Sequence, residues 1–300
     1  MNALLTGGAG FIGSHLLQLL LAEGSALTVL DIAPKDFAWR LEPGPYRYIQ
    51  GDIRDADVVT EAMRGCDTVF HLAGVLGTDA LVERPEDAVT TNVLGTLNVL
   101  QAARRSGALV VNVSLIPDWP NSYMISKQAA SMFCRMFSHE FLSKVTDLRF
   151  THVYGPRQTW TPIRKVIPSF LRAALVGNPI EIYGDGSQLL DLLHVSDAVR
   201  AISIAAKTRG ALGQSIEIGT GSVHTLAAIA EMIIEQTNSR AGAQFVGRRP
   251  GEAEDRTQFR AADIRSQTEV LAFSPKINLC AGLAETARWV ENHLLEGAAQ

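Results

Sequence analysis

The stretch Thr6-Gly7-Gly8-Ala9-Gly10-Phe11-Ile12-Gly13 decides the fold of this chain. Its glycines keep a spacing that lets a backbone turn tightly and approach a pyrophosphate without a Cβ in the way. An apolar run precedes the turn and a leucine-rich run follows it, which predicts a buried strand and then a helix that begins near Phe11. The N-terminus of that helix would offer free N–H groups and the positive end of its dipole to phosphates. The predicted phosphate-binding residues are Gly7, Gly10, Phe11, Ile12 and Gly13.

The next strand-like run, Leu27–Leu30, ends in Asp31. An acidic residue about 20 residues past such glycines is placed to accept both hydroxyls of a ribose and to repel a 2′-phosphate. The complete unit therefore predicts a site for NAD in preference to NADP. The alternative is that Asp31 is only a solvated carboxylate at the end of a strand.

The composition is that of a chain that can bury a large core. It has 300 residues, 47% of them hydrophobic, and a net charge of −4 that gives no reason to expect nucleic acid. Cys66, Cys134 and Cys280 lack metal-ligand spacing and fit reduced thiols. The glycine turn interrupts the apolar start and no basic segment precedes it, so we expect no signal peptide. We therefore expect a cytoplasmic protein without a metal site, a nucleic-acid partner or a membrane segment.

The order of strand-like and helical runs predicts an α/β fold. Up to about residue 153, strand-like runs alternate with helical stretches, which is typical of a doubly wound parallel sheet of the Rossmann type. We therefore predict an NAD-binding domain at residues 1–155, to which later segments of the chain return. Its later strands are predicted at Tyr46–Gln50, Thr68–His71, Leu109–Ser114 and Val145–Val153.

The sequence pattern changes after Pro156, where prolines and glycines interrupt the regular alternation of strand-like and helical runs. Residues 156–300 are predicted to form mainly a smaller, chain-interleaved lobe that binds substrate. The cleft between the two lobes is then the expected substrate site. Helices of the smaller lobe are predicted near Ile167–Leu175, Val195–Ala206, Leu226–Glu235 and Leu279–Asn292.

A second informative pattern is Tyr123-Met124-Ile125-Ser126-Lys127, which begins a predicted helix. Tyr123 and Lys127 are four residues apart and share one helix face. A free tyrosine has a pKa of about 10, but an adjacent ammonium and an oxidised nicotinamide would both stabilise its phenolate. Tyr123 could then take a proton from a sugar hydroxyl while a hydride leaves the same carbon for NAD, and Lys127 would also hold the nicotinamide ribose. The alternative is an ordinary neighbour pair on an amphipathic helix.

With Ser114 at the end of an intervening strand, the chain resembles the extended short-chain dehydrogenases/reductases, in particular the NAD-dependent epimerase/dehydratase family of nucleotide-sugar enzymes. The resemblance covers almost the whole chain and implies NAD as the cofactor, with Asp52 and Ile53 at the adenine. The other implied cofactor contacts are Leu72, Ala73, Gly74, Asn92, Tyr123 and Lys127. Further matching segments are Gly51–Asp55, Thr91–Thr96, Val153–Gln158, Tyr183–Gly186, His194–Asp197, Arg249–Glu252 and Leu283–Trp289.

The resemblance also implies the contacts to a nucleotide-sugar substrate, in the first place a UDP-sugar. Ser114 would hydrogen-bond the sugar oxygen that is oxidised, unless it only caps the end of its strand. Arg249 would bind the diphosphate as a planar bidentate donor. The predicted base-binding residues are Val166, Ile167 and Tyr183, for each of which a place in the core of the smaller lobe is the alternative.

Four departures from the family pattern bear on the function. Only Leu115–Ser122 separates Ser114 from Tyr123, so one wall of the usual sugar pocket is missing or rebuilt. Leu115 and Ile116 also occupy the places where 4,6-dehydratases carry an acidic pair, for which Asp118 could substitute.

The other two departures concern the grip on the substrate. Leu190 stands where relatives have an arginine, and Arg256, Arg157 or Lys165 could compensate. His152 replaces an asparagine. It is either a new acid or base or a hydrogen-bonded histidine that lines the site, and we favour the second.

The family shares a closed redox cycle in which NAD oxidises C4 of a nucleotide hexose and the hydride later returns. We favour dehydration across C5 and C6 of a UDP-hexosamine similar to UDP-N-acetylglucosamine, with a 4-epimerase as the alternative. A non-catalytic NAD-binding regulator is a further alternative, against which the intact Ser114, Tyr123 and Lys127 argue. Apolar residues on the Tyr123 helix also predict a homodimer packed through paired helices. These residues are Met132, Phe133, Met136 and Phe137.

Overall fold

The computed structural model describes residues 1–77, 81–117, 120–247 and 260–297. Strands and helices alternate through the first half of the chain, joined by short loops. They are β1 (Asn2–Thr6), α1 (Phe11–Ala22), β2 (Ala26–Asp31), β3 (Tyr46–Gln50), α2 (Ala56–Ala62), β4 (Thr68–His71), α3 (Pro85–Ala88), a π-helical segment (Val89–Gly95), α4 (Thr96–Ser106), β5 (Leu109–Leu115), α5 (Ser122–Phe141) and β6 (Val145–Phe150).

Short strands and longer helices follow in the second half. They are β7 (His152–Tyr154), α6 (Val166–Leu175), β8 (Ile180–Tyr183), β9 (Leu189–Leu190), β10 (Leu192–His194), α7 (Val195–Lys207), β11 (Ser215–Ile218), β12 (His224–Thr225), α8 (Leu226–Thr237), β13 (Ala243–Val246), α9 (Arg265–Leu271) and α10 (Leu279–Gly297). No helix within the described ranges has the length and the apolar character that crossing a membrane requires.

The chain divides into two compact units, each built from three segments. The first comprises Met1–Phe150, Ala198–Ile218 and Asp263–Ser274. The second comprises Thr151–Asp197, Gly219–Ala262 and Pro275–Gln300.

The first unit contains a seven-stranded parallel sheet in the order β11-β6-β5-β4-β1-β2-β3. Its central strands are almost continuously buried, as expected where both faces of a parallel sheet are covered. The strand order moves outwards in both directions from β1 and β4, which confirms the predicted doubly wound fold. One face of this sheet packs in a cluster that includes Leu4, Leu30, Val99, Val110 and Phe137.

The run Val145–Val153, predicted as one strand, is two strands. β6 ends at Phe150, whose carbonyl oxygen accepts a hydrogen bond from the N–H of Ile116 at 3.0 Å. β7 then begins at His152 and pairs in parallel with β10. The single-strand prediction was wrong because the chain changes its pairing partner within an uninterrupted β-forming sequence.

The second unit combines three small two-stranded sheets with helices α6, α8 and α10. β7 pairs with β10, β9 with β12, and β8 with β13. The helices pack around a core that includes Tyr154, Phe170, Leu171, Ile229 and Leu283.

Candidate active site

The glycine-rich turn joins β1 to α1 in a geometry that requires glycine. Gly7 has a φ of +72°, and a Cβ added to it would lie 2.7 Å from the backbone nitrogen of Ala73. A Cβ on Gly13 would lie 2.2 Å from the carbonyl oxygen of Gly7 and 2.8 Å from the Cα of Gly8. The turn and the first turn of α1 therefore pack backbone against backbone, with no room for side chains.

Helix α1 begins at Phe11, as the sequence predicts. Its N-cap, Gly10, provides no side-chain cap hydrogen bond, so N–H groups in the first turn, which includes Ile12, remain available to an anion. This cradle, which a Cβ would fill, fits the pyrophosphate of a dinucleotide such as NAD. The phosphate contacts of the individual residues stay predictions.

Asp31 is the last residue of β2, and its carboxylate lies against the glycine turn. Oδ2 accepts a hydrogen bond from the N–H of Ala9 at 2.8 Å, and Oδ1 accepts one from the N–H of Ala33 at 3.0 Å. These bonds fix the carboxylate and leave further lone pairs on both oxygens. The contact of this carboxylate with a ribose stays a prediction.

We expect Asp31→Ala to weaken NAD binding by roughly tenfold or more, because hydrogen bonds to a charged group are worth about 1.5–3 kcal/mol. The same variant should bind NADP more nearly as well as NAD, since the charge that repels a 2′-phosphate is gone. Asp31→Asn is the matched variant, because it removes the charge and keeps an amide oxygen. Titration calorimetry with both cofactors measures the preference, and an unchanged preference in both variants would show that the ribose assignment is wrong.

Asp52 and Ile53 follow β3 and have different environments. The carboxylate of Asp52 accepts hydrogen bonds from the Arg54 guanidinium at 2.6 and 2.8 Å, which helps to lower the pKa of Asp52. The side chain of Ile53 is buried, and a Cβ on Gly95 would lie 2.5 Å from its Cδ1. Their contact with adenine stays a prediction, with Ile53 in the core and Asp52 paired.

Asn92 ties the loop after β4 to helix α5. Its Nδ2 donates to the carbonyl oxygen of Val75 at 3.0 Å and to Oγ of Ser126 at 2.9 Å, and its Oδ1 accepts from the N–H of Val75 at 2.9 Å. A Cβ on Gly74 would lie 2.8 Å from Oδ1 of Asn92, so this glycine allows the close approach. Asn92 lies in the π-helical segment, a wide turn that is frequent at functional sites and that the sequence pattern did not predict. The predicted cofactor-lining residues Leu72 and Ala73 lie in the loop after β4, directly before Gly74.

Helix α5 carries Tyr123 and Lys127 in its first two turns. Its N-cap is Asn121, whose Oδ1 accepts a hydrogen bond from the N–H of Met124 at 2.9 Å. Lys127 is 5% exposed, and its Nζ donates to the carbonyl oxygen of Val113 at 2.7 Å. The ammonium is therefore directed at strand β5.

The activation of Tyr123 by Lys127 and an oxidised nicotinamide stays a prediction. Burial alone raises the pKa of Tyr123 to about 12, so the phenol is neutral near pH 7. The charge of Lys127 acts on His71. Burial is the larger cause that lowers the pKa of His71 to about 3, and the Lys127 ammonium is the second cause. The shared helix face was predicted correctly, but Lys127 reaches into the sheet and not to the phenol oxygen.

Ser114 lies in a hydrogen-bond network between strand β5 and helix α5. The residue is 5% exposed, its Oγ lies 2.9 Å from Oγ of Ser131, and it donates to the carbonyl oxygen of Lys127 at 3.5 Å. The hydroxyl therefore belongs to a buried network between β5 and α5 and does not cap the strand end. The predicted contact with a sugar oxygen stays a prediction.

Two of the three predicted base-binding residues lie at the start of helix α6, near where the sequence predicts a helix. Val166 and Ile167 open α6, and Ile167 is 2% exposed in the core with Phe170 and Ile182. Its side chain is a packing group, because helical periodicity turns this position inwards. Val166 is half-buried beside that core.

Tyr183, at the end of β8, has a partner that the sequence analysis missed. Nη1 of Arg164 donates to the Tyr183 hydroxyl at 3.0 Å, and its guanidinium lies 4.9 Å from the ring centroid. Arg164 also forms an ion pair with Glu181 at 3.2 Å. No motif marked Arg164, whose pairing depends on the placement of β8.

The remaining predicted substrate residues are His152, Leu190 and three residues that the structure does not describe. The backbone N–H of His152 donates to the carbonyl oxygen of Asp191 at 3.0 Å, and its ring is half-buried. Leu190, in place of the family's arginine, lies opposite His224 in the pairing of β9 with β12. Arg249, Arg256 and Asp118 lie outside the described residues.

Known proteins resemble this chain over almost its whole length. The pattern of the NAD dependent epimerase/dehydratase family matches residues 3–114 and 117–219. The chain is 33% identical to the UDP-N-acetyl-alpha-D-glucosaminuronate decarboxylase of Bacillus cytotoxicus, over 96% of this chain and 97% of the relative. It is 34% identical to a dTDP-glucose 4,6-dehydratase of Streptomyces griseus, over 97% and 94%. The crystal structure of the Thermus thermophilus UDP-glucose 4-epimerase in complex with NAD superposes with a TM-score of 0.85 at 28% identity, over 97% of this chain and 99% of that one.

Proposed function

We propose that this chain, which belongs to the NAD-dependent epimerase/dehydratase family, oxidises C4 of a UDP-sugar, re-reduces it on the opposite face and so acts as a 4-epimerase. The family membership makes it an NAD-dependent enzyme of nucleotide sugars, which confirms the expected class and cofactor. The UDP-sugar and the 4-epimerisation are our proposal. It is supported by the names of the relatives and by the residues that follow β5.

In this proposal, the residues of α5 handle the proton of the C4 hydroxyl. When bound, NAD accepts the hydride from C4 and returns it. Tyr123 takes the hydroxyl proton as the keto group forms and gives it back on reduction. Because burial alone leaves Tyr123 a neutral phenol, it acts as a base only after positive charge has been brought next to it.

The observation that favours epimerisation is the end of β5. Dehydration across C5 and C6 needs a base at C5 and an acid at the C6 hydroxyl. Leu115 and Ile116 have neither, Ile116 is 3% exposed, and the carbonyl oxygen of Leu115 accepts a hydrogen bond from Nε2 of Gln128 at 3.1 Å. Inversion at C4 requires only that the keto sugar rotates within the site and presents its other face before it is reduced. The inversion therefore needs no further acid or base.

The second candidate is the dehydration that the sequence analysis favours, water loss across C5 and C6 of a UDP-hexosamine. The likeness to a dTDP-glucose 4,6-dehydratase at 34% identity supports the chemistry of water loss. The sequence pattern also resembles the UDP-N-acetylglucosamine 5,6-dehydratase of tunicamycin-type antibiotic biosynthesis. This candidate needs an acid and a base from outside the β5 end, and Asp118 is available in the sequence.

One incubation decides between the two candidates. The purified protein is incubated in deuterated water, without added reductant, with UDP-N-acetylglucosamine, UDP-glucose and UDP-glucuronate in turn, and the products are followed by mass spectrometry and proton NMR. Unchanged mass with an inverted C4 proton coupling supports the epimerase. A product lighter by one water supports the dehydratase, and loss of carbon dioxide from the uronate would contradict both.

We also propose a homodimer packed through paired helices. A groove of about 460 Å³ runs between α4 and α5 and is lined by Leu97, Gln101, Arg104, Arg105, Met136, Phe137 and Phe141. Met132, on the outer face of α5, is 69% exposed. Such an apolar face is typical of a surface that a second subunit covers.

We expect Met132→Glu to convert the dimer to a monomer at micromolar concentration, because a C2 interface would bring the introduced charge close to its own copy. Val82→Glu is the matched control, since Val82 is also exposed, at 59%, but lies outside α4 and α5. Analytical ultracentrifugation measures the mass. A monomeric parent protein would refute the proposed dimer.

A further inference from the structure

A row of polar side chains crosses three strands of the seven-stranded sheet where α5 packs on it. Asn112 on β5, Asp147 on β6 and Ser215 on β11 lie directly opposite one another in the parallel register. Nδ2 of Asn112 donates to Oδ1 of Asp147 at 2.6 Å, and Oγ of Ser215 donates to Oδ2 at 3.2 Å. Asp147 is 1% exposed, so its carboxylate is buried at the centre of this row.

All the hydrogen-bond donors to this carboxylate are neutral. The third is Ser131 on α5, whose Oγ donates to Oδ1 of Asp147 at 3.2 Å. Within the part of the chain that the structure describes, Asp147 forms no ion pair. A buried carboxylate is costly unless a nearby positive charge balances it.

Lys127 lies one helical turn before Ser131, on the same face of α5. It is nearly as buried as Asp147, and its Nζ donates to the carbonyl oxygen of Val113, the residue after Asn112. Burial lowers the pKa of Lys127, and the negative charge of Asp147 opposes this by raising it. Each of these two charges is thus buried close to the one that balances it.

We propose that Asp147 is the positioning residue of Lys127: its buried negative charge keeps the Lys127 ammonium protonated and held against β5. Ser131 connects the carboxylate to α5 and so fixes the helix over the pair. The inference rests on the proposed function only in that Lys127 is a predicted cofactor-binding residue of the same site, and it names the group that keeps its charge.

The other titratable groups around the pair do not balance the charge of Lys127. Burial raises the pKa of the Cys134 thiol, so it stays neutral. His71 on β4 is neutral as well, because burial and the charge of Lys127 lower its pKa to about 3. Arg149, two residues along β6 on the same face, lies opposite Glu217 on β11, and neither is among the groups that shift the pKa of Lys127. Asp147 is the carboxylate whose charge acts on Lys127.

The test is Asp147→Asn, which removes the charge while its amide oxygen can still accept from Asn112 and Ser131. The NAD-loaded protein is labelled with [ε-13C]lysine, and the Lys127 resonance, assigned by its loss in Lys127→Arg, is followed by NMR against pH. We expect the titration midpoint of Lys127 to fall by about one pH unit or more. Ser215→Ala is the matched control, because it removes a hydrogen bond from Asp147 without changing a charge, and it should leave the midpoint in place.

The charge-swapped double variant, Asn112→Asp with Asp147→Asn, keeps one carboxylate and one amide in the same pair. Its midpoint should return towards that of the parent, which also keeps the proposal testable if the single variant does not fold. An unchanged midpoint in Asp147→Asn, an equal shift in Ser215→Ala, or an unrescued double variant would overturn the proposal. The titration needs no substrate, so its result tests the role of Asp147 whether or not the proposed function is correct.

Discussion

Tyr123→Phe is expected to lower kcat by about 10²–10⁴-fold, the usual contribution of a positioned acid or base. The phenyl ring keeps the apolar contacts of the half-buried tyrosine. Its hydroxyl makes no hydrogen bond to any residue in the described ranges, so its loss leaves no protein group unpaired. NAD binding and substrate binding should therefore persist, and kcat should fall without a matching rise in KM.

The measurement is steady-state turnover together with direct titration of both ligands. Tyr46→Phe is the matched control, because it removes a phenol that donates to the carbonyl oxygen of Glu42 on an exposed segment, and it should leave kcat unchanged. In the parent enzyme kcat should rise with pH, since the pKa of Tyr123 lies above its usual value and only the deprotonated form accepts a proton. If Tyr123→Phe turned over at the parental rate, Tyr123 would have no part in the mechanism.

The sequence was most informative where local chemistry alone determines the structure. The strand, turn and helix around Gly7 were predicted because positive φ and backbone-to-backbone packing demand glycine, whatever the rest of the chain does. The parallel sheet followed from buried apolar runs that alternate with helices. The break between β6 and β7 was missed, because no proline, glycine or charge cluster marks it at Thr151.

The candidate site was predictable in residue type and less so in orientation. Ser114 and Lys127 were identified from their motif, but the direction of each side chain depends on neighbours in other strands and helices. The strand alternation that turns Ser114 towards Ser131 could be deduced only once β5 was seen to pack on α5. Asp147 carries no motif, so its role in the site depends entirely on the register of β5, β6 and β11.

Gly13→Ala should weaken NAD binding by about 10- to 100-fold, because overpacking of this kind costs about 1–3 kcal/mol. The added methyl group would lie 2.2 Å from the carbonyl oxygen of Gly7 and 2.8 Å from the Cα of Gly8, which are backbone atoms and not the end of a flexible side chain. The turn must open, which moves the N–H groups of the first helical turn away from the pyrophosphate. Titration calorimetry with NAD measures the loss.

Two other glycines give a graded comparison for this variant. Among the described residues, a Cβ on Gly10 would meet only the carbonyl oxygen of Gly7, at 3.1 Å, and a Cβ on Gly247 would meet nothing within 4 Å. NAD affinity should therefore fall in the order Gly247→Ala, Gly10→Ala, Gly13→Ala, with the first equal to the parent. Equal affinity in all three variants would mean that the close packing of this turn does not shape the cofactor site. The graded order would show that NAD binding depends on backbone approach, the property for which these glycines are needed.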